Sequence, residues 1–255
     1  MDLDPRLTAL RALGGFFALR TTPPTAPDGE PDRPLPTLAQ AYSAVPTGAP
    51  GDPLTLRVGK VARALRAPEP RVAASVAQQG LAARLWSVAL GCAVLYGAQP
   101  DLAPGLLRWD PDGSAPDDLW LTEVRPRPGD ARTLAATVLH DHLEPLAAAL
   151  RARHRVAPGL LRGNAASALA GAARQLDGWA RANGRPDAAA RSRALTAELL
   201  AHPLLAGTGT STATPAGTAF RRRSCCLYYR VPGGGVCGDC CFPRPPRPFL
   251  RGPSG

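Results

Sequence analysis

Five of the six cysteines crowd into residues 225–241, and no other feature limits the chain so tightly. They run Cys225-Cys226, ten residues, Cys237, two residues, Cys240, and then Cys241 directly. Adjacent residues project their side chains in different directions, so Cys225 and Cys226 do not easily close on one ion. Gly233, Gly234, Gly235 and Gly238 let the intervening backbone turn tightly and aim N–H groups at sulfur.

Three chemistries compete for this pattern. Disulfides rank last, because the number of cysteines in the cluster is odd and a reducing compartment is expected. That expectation comes from the N-terminus. The stretch MDLDPRLTALRALGGFFALR begins with acids and is broken by Arg6, Arg11 and Arg20. It lacks the basic start and apolar core of a signal peptide, and reads as an amphipathic helix capped by Asp4 with Pro5 at the first helical position. No segment reaches the roughly 18–20 uninterrupted apolar residues of a membrane span. A cytoplasmic protein is expected. Structural zinc stays open, but it usually takes two Cys-x-x-Cys knuckles, and only Cys237 and Cys240 form one. A [2Fe–2S] cluster is favoured: two irons with two thiolates each tolerate diverging neighbours. The expected ligands are Cys225, Cys226, Cys237 and Cys240, with Cys241 as a rival to Cys240 or a spare thiol. Cys92, on an apolar stretch, reads as a core residue.

The formal charge of +10 first suggests nucleic acid or acidic lipid. The basic residues are almost all arginine, with Lys60 the only lysine, which reads as a high-GC coding bias. Most of these arginines lie beside acids on helical stretches and read as solvated faces, so no nucleic-acid partner is expected. The last 36 residues differ: seven arginines stand against the single acid Asp239, a local charge of +6. Four thiolates around an oxidised [2Fe–2S] core leave about −2 overall, and reduction makes this about −3. Arg221, Arg222, Arg223 and Arg230 would offset that charge, or attract an anionic substrate or an acidic electron donor. As solvated tail charges they would do neither.

The rest of the chain is helical in character. Residues 21–35 are proline-rich and polar, a linker or extended loop. A short helix is expected at 37–45. Val76, Leu81, Leu85, Val88 and Cys92 recur at helical spacing, which predicts a buried helix over Val72–Tyr96, with breaks near Gly80 or Gly91 and a stop at Gly97. Residues 106–109 and 119–124 flank a turn-rich connector and predict a β-hairpin. Helical signals follow from Asp130 to Arg155, with a kink at Pro145, then from Pro158 to Asn183, and from Asp187 to Pro203.

The stretch RRSCCLYYRVPGGGVCGDC resembles the C-terminal signature of the FhuF-like ferric-siderophore reductases, marked by Cys-Cys-x10-Cys-x2-Cys. RLWSVALGCAVLYG (84–97) and LLRGNAASALAGAARQL (160–176) look like the helical body of that family, which is related to part of the aerobactin-type siderophore synthetases. The resemblance implies a mostly α fold (α+β with a small β-hairpin), a helical substrate domain plus a short C-terminal iron–sulfur-binding segment. The organisation follows: a helical substrate-binding body over 1–205, a flexible tether over 206–219, the cluster-binding segment over 220–242 and a disordered tail over 243–255. The implied activity is one-electron reduction of a ferric siderophore, of hydroxamate type, to release Fe(II). The implied partners are that chelate and an electron donor such as a ferredoxin or a reduced flavin system; peripheral contact with an inner-membrane siderophore importer is compatible with them. Arg222, Arg223, Arg230, Arg84, Trp86 and Asn164 are candidates for docking substrate or donor, although packing explains any one of them. A non-enzymatic iron–sulfur carrier or sensor is the alternative from another class. The long helical body argues against a simple carrier.

The remaining polar groups suggest little. His140 and His142 point roughly 200° apart on a helix and do not chelate one metal; surface or capping roles are expected, with His142 a weak substrate contact. No Gly-rich phosphate loop follows a strand, and no carboxylate pair for acid–base chemistry is visible.

Overall fold

The computed structural model describes residues 4–21, 35–43, 51–214 and 217–246. Most of the proline-rich 21–35 stretch and the end of the tail, 247–255, lie outside the described residues. The fold is mostly helical, with three small antiparallel sheets of two strands each.

α1 (Asp4–Ala9) continues into a tight 3-10 turn, Leu10–Leu13, and α2 spans Leu38–Ser43. α3 (Pro53–Leu65) starts where the Asp52 carboxylate accepts the Thr55 N–H at 3.2 Å, with Pro53 placed where no N–H is needed. α4 (Pro70–Tyr96) is one unbroken helix of 27 residues, passing through Gly80 and Gly91. It is apolar on nearly every side, so it lies in the centre of the core rather than on its surface. Gly91 is not a break but a contact point: a side chain there would press into the Phe17 ring. Gly97 ends the helix in the left-handed conformation, φ +73°, and its N–H closes on the Ala93 carbonyl.

β1 (Ala98–Pro100) pairs with β4 (Pro126–Pro128), and the expected hairpin forms between β2 (Leu107–Trp109) and β3 (Leu119–Leu121). The next helical run changes pitch twice. α5 (Ala131–Leu134) passes into a π-wound stretch, Ala135–Leu143, and then into α6 (Glu144–His154). Pro145 has no N–H, and its ring would meet the Asp141 carbonyl in a regular helix. The widened winding before it relieves that clash, and the Glu144 N–H reaches back five residues to the Leu139 carbonyl.

α7 (Pro158–Ala182) packs along α4, and α8 (Pro186–Leu200) packs on α7. Ala165, Ala166, Ala168, Ala172 and Ala173 are all buried along α7, and such small side chains let helix axes approach closely.

The expected tether is replaced by structure. β5 (Gly209–Thr214) and β6 (Gly217–Arg222) form an antiparallel hairpin with register from Gly209↔Arg222 to Thr214↔Gly217. Its strands are rich in small residues and threonine, so no large apolar alternation marks them in the sequence. The hairpin is held by one aromatic ring. Phe220 is buried and lies against Gly209, where any Cβ would collide with the ring. β6 rests on α7 and leads directly into the cysteines.

Candidate functional site

The cysteine segment leaves β6 and folds back on the ends of α4 and α7. The backbone first locks to itself: the Arg222 N–H donates to the Asp239 carbonyl at 2.9 Å, and the Arg223 N–H to the Thr208 carbonyl at 2.8 Å. Leu227 turns the chain in the left-handed conformation, φ +68°, before a 3-10 turn at Tyr228–Arg230. The Cys240 N–H then closes on the Cys237 carbonyl at 3.0 Å.

The seat beneath is polar and buried. The Ser75 hydroxyl of α4 donates to the Cys226 carbonyl at 2.7 Å. The Asn164 side chain of α7 donates to both the carbonyl and the hydroxyl of Ser75, at 2.9 and 3.1 Å. Arg222, only 2% exposed, donates to the Asn164 carbonyl oxygen. On the other flank, Asp239 is buried and takes the Ser167 hydroxyl at 2.6 Å and the Arg174 guanidinium at 2.9 Å. Ser75, Ser167, Arg174 and Asp239 carry no motif of their own. The one signal in the sequence is that Asp239 is the single acid of a basic segment and sits inside the Cys-x-x-Cys.

The thiols are arranged by pairs. Cys226 and Cys237 stand with sulfurs 3.8 Å apart and share a hydrogen bond. Cys225 and Cys240 each receive a backbone N–H from two residues on: Leu227 to Cys225 at 3.2 Å, and Phe242 to Cys240 at 3.4 Å. The hydrogen bond with Cys226, assisted by the Leu227 N–H, lowers the Cys225 thiol from its ordinary value against the effect of burial. The bond to Cys226 and burial raise Cys237, and burial raises Cys241. No cysteine is in a disulfide. Cys92 is buried in the core, its thiol pushed up to about 12 by burial, as its apolar surroundings predict.

Residues 222–242 match the family model of the FhuF 2Fe-2S C-terminal domain. The chain carries a FhuF-type C-terminal domain. No curated protein matches the chain. The cofactor of a FhuF-type domain is a [2Fe–2S] cluster, and the donor set fits it. Two thiolates about 2.3 Å from one tetrahedral ion lie about 3.8 Å from each other, which is the Cys226–Cys237 separation. The N–H groups aimed at Cys225 and Cys240 are the kind that stabilise sulfur bearing negative charge. The N–H groups aimed at Cys225 and Cys240 belong to Leu227 and Phe242.

Beyond the thiols, the docking candidates divide. Trp86 is fully buried in the core, because α4 is apolar all round. Arg84 is 1% exposed and binds Asp118 at 3.1 Å and the carbonyls of Gly15 and Phe16 at 3.0 and 2.6 Å. It ties the N-terminal segment to the β2–β3 connector. Trp86 is enclosed by the core, while Arg84 also lines a small cavity with Phe16, Trp109 and Asp118. Asn164 and Arg222 are buried in the seat and hold the segment rather than a substrate. Arg230 is exposed but pairs with Glu69. Arg223 is exposed and borders a cleft with Arg162 and Ser224. His142 also departs from expectation. It is fully buried, with its Nε2 against the Leu102 carbonyl at 2.6 Å and its Nδ1 against the Tyr42 hydroxyl at 2.9 Å. Among the described residues, no helix is long and apolar enough to cross a membrane.

Proposed function

We propose that this protein is a ferric-siderophore reductase whose [2Fe–2S] cluster is held by Cys225, Cys226, Cys237 and Cys240. When bound, the cluster supplies one electron at a time. The chelated Fe(III) takes that electron and becomes Fe(II), a poorer guest for hard oxygen ligands that is then released. The observation that carries the reading is the way a FhuF-type segment is bolted to a large helical body, through Ser75 to Cys226 and Arg174 to Asp239. A free-standing electron carrier needs no such body.

The chain's own residues do three things in this scheme. The thiols bind the irons. Leu227 and Phe242 N–H groups, with Arg221 and Arg222 nearby, favour added negative charge at the cluster and so ease its reduction. The Asp239 and Ser75 anchors fix the cluster against α4 and α7. Arg223, exposed and with no carboxylate partner among the described residues, would meet an acidic donor such as a ferredoxin, and a reduced flavin system would serve equally. The chelate is of hydroxamate type in this reading, and the setting is the cytoplasm.

The test is anaerobic purification with iron, sulfide and zinc analysis, an EPR spectrum after reduction, and mixing of the reduced protein with ferric hydroxamates. Two irons and two sulfides per chain with rapid reoxidation by the chelate are expected. Zinc without sulfide defeats the cluster reading. A cluster that no ferric chelate reoxidises indicates a carrier or sensor.

A further inference from the structure

A cavity of about 530 Å³ opens beside the seat of the cysteine segment, between the π-wound stretch, α6, α7 and the turn after α8. Its size lies within the range of small-molecule sites. Leu139, Leu143, Leu161 and Leu204 give it apolar walls. Arg151 and Arg162 are exposed at its edge and pair with no carboxylate among the described residues. The one nearby carboxylate, Glu144, is taken by His140 at 2.6 Å. The edge is therefore cationic. Gln78, 1% exposed, forms part of the wall; its Nε2 is committed to the Leu161 carbonyl at 3.3 Å, while its Oε1 has no partner among the described residues. A buried acceptor without a partner is costly and favours a site where a ligand donor can reach it.

This cavity and the cysteine seat are built from consecutive positions of the same two helices. On α4, Gln78 follows by one turn Ser75, which holds the Cys226 carbonyl. On α7, Leu161, Arg162 and Ala165 line the cavity, while Asn164 holds Ser75 and Arg222. One turn is about 5.4 Å along a helix axis. Arg162 and Leu204 also border the neighbouring cleft that reaches Ser224, the residue before Cys225. The π-winding forced ahead of Pro145 shapes one wall, and such widened turns frequently mark functional sites.

We infer that this cavity is the chelate site, and that it takes an oxygen-rich, amide-bearing ferric hydroxamate. Methylene spacers pack on the leucines, outer carbonyl and hydroxamate oxygens face Arg151 and Arg162, and an amide N–H answers Gln78. This inference rests on the reductase reading, but its test separates the two. The probe is a gallium(III) hydroxamate, which has the shape and charge of the ferric complex and accepts no electron.

Binding of the gallium complex to the oxidised holoprotein is measured by calorimetry, and reoxidation by the ferric complex is measured in parallel. The variants are Ala148→Trp, at an exposed position on the cavity edge, the double change Arg151→Glu with Arg162→Glu, and Arg132→Glu at an exposed site elsewhere as the control. Tenfold or greater weakening of gallium-complex binding is expected in the first two, with a matching rise in KM, an unchanged cluster spectrum and no change in the control. Equal binding and reduction in all variants overturns the site and leaves the reductase reading standing. Binding that the cavity variants abolish, without reduction of the ferric complex by the wild type, supports the site and defeats the reductase. No binding by the wild type overturns the site.

Discussion

The guanidinium of Arg174, on α7, holds the carboxylate of Asp239, between Cys237 and Cys240, at 2.9 Å. The Ser167 hydroxyl donates to the other oxygen of the same carboxylate at 2.6 Å. One acidic residue thus anchors the second half of the cysteine segment to the body. Replacing Asp239 with Ala removes these bonds and leaves the Ser167 hydroxyl and the Arg174 guanidinium without that acceptor. Hydrogen bonds to charged groups contribute about 1.5–3 kcal/mol, and Arg174 is partly solvated, so the lower end applies. Asp239→Ala is expected to lower iron content per chain while far-UV circular dichroism stays unchanged, because the helices do not depend on this contact. Ser167→Ala is expected to do the same more weakly.

Cys240 and Cys241 are adjacent, but only Cys240 matches Cys225 in receiving an N–H from two residues on. Cys240→Ser is expected to abolish the cluster's visible absorption and EPR signal. Cys241→Ser is expected to keep both. Loss of the cluster in the Cys241 variant alone would reassign the fourth ligand.

The surroundings of His142 decide its protonation. The Leu102 carbonyl can only accept, so Nε2 carries the proton, and Nδ1 accepts from the Tyr42 hydroxyl. Burial lowers the His142 pKa from 6.5 to about 4. Above pH 6.5 the folded and unfolded states both hold it neutral, so it adds no pH dependence there. Between pH 6.5 and about 4 the unfolded chain binds a proton that the folded chain refuses. Stability therefore falls as the pH drops through this window, by about 3 kcal/mol in total. Urea unfolding at pH 7, 5.5 and 4 measures this loss, and it should shrink markedly in His142→Leu.

Phe220 lies against Gly209 across the β5–β6 hairpin. Gly209→Ala forces the ring away, and such overpacking costs about 1–3 kcal/mol. Limited proteolysis should then cut within residues 206–224, where the wild type resists, with α4 and α7 left intact.

The long helices were legible because their apolar spacing is local. Val76 to Cys92 announces α4, and Gly97 and Gly184 mark helix ends by left-handed turns. The cysteines were equally plain, since thiols so close together carry their own chemistry. The β5–β6 hairpin was not legible, because Gly209 and Thr210 through Thr214 owe their order to Phe220 and to α7, not to their own pattern. Arg84 and Trp86 lie on the stretch expected to form a buried helix, and packing is the reading that Arg84, Trp86 and Asn164 all bear out; which partners they hold, Asp118 for Arg84 and Ser75 for Asn164, is a tertiary fact the pattern does not carry. The anchors Ser75, Ser167 and Arg174 had no motif at all. Each acquires its role from a partner 65 or more residues away along the chain.

The Ser75–Cys226 bond spans 151 residues of sequence, and the helix residues of the seat, Ser75, Asn164, Ser167 and Arg174, all precede the cysteines. A chain made from its N-terminus folds its early parts first. α4 and α7 precede the thiols and can pair before them, so the cysteine segment folds onto a helical surface already in place, as a coat of sulfur laid on a finished frame.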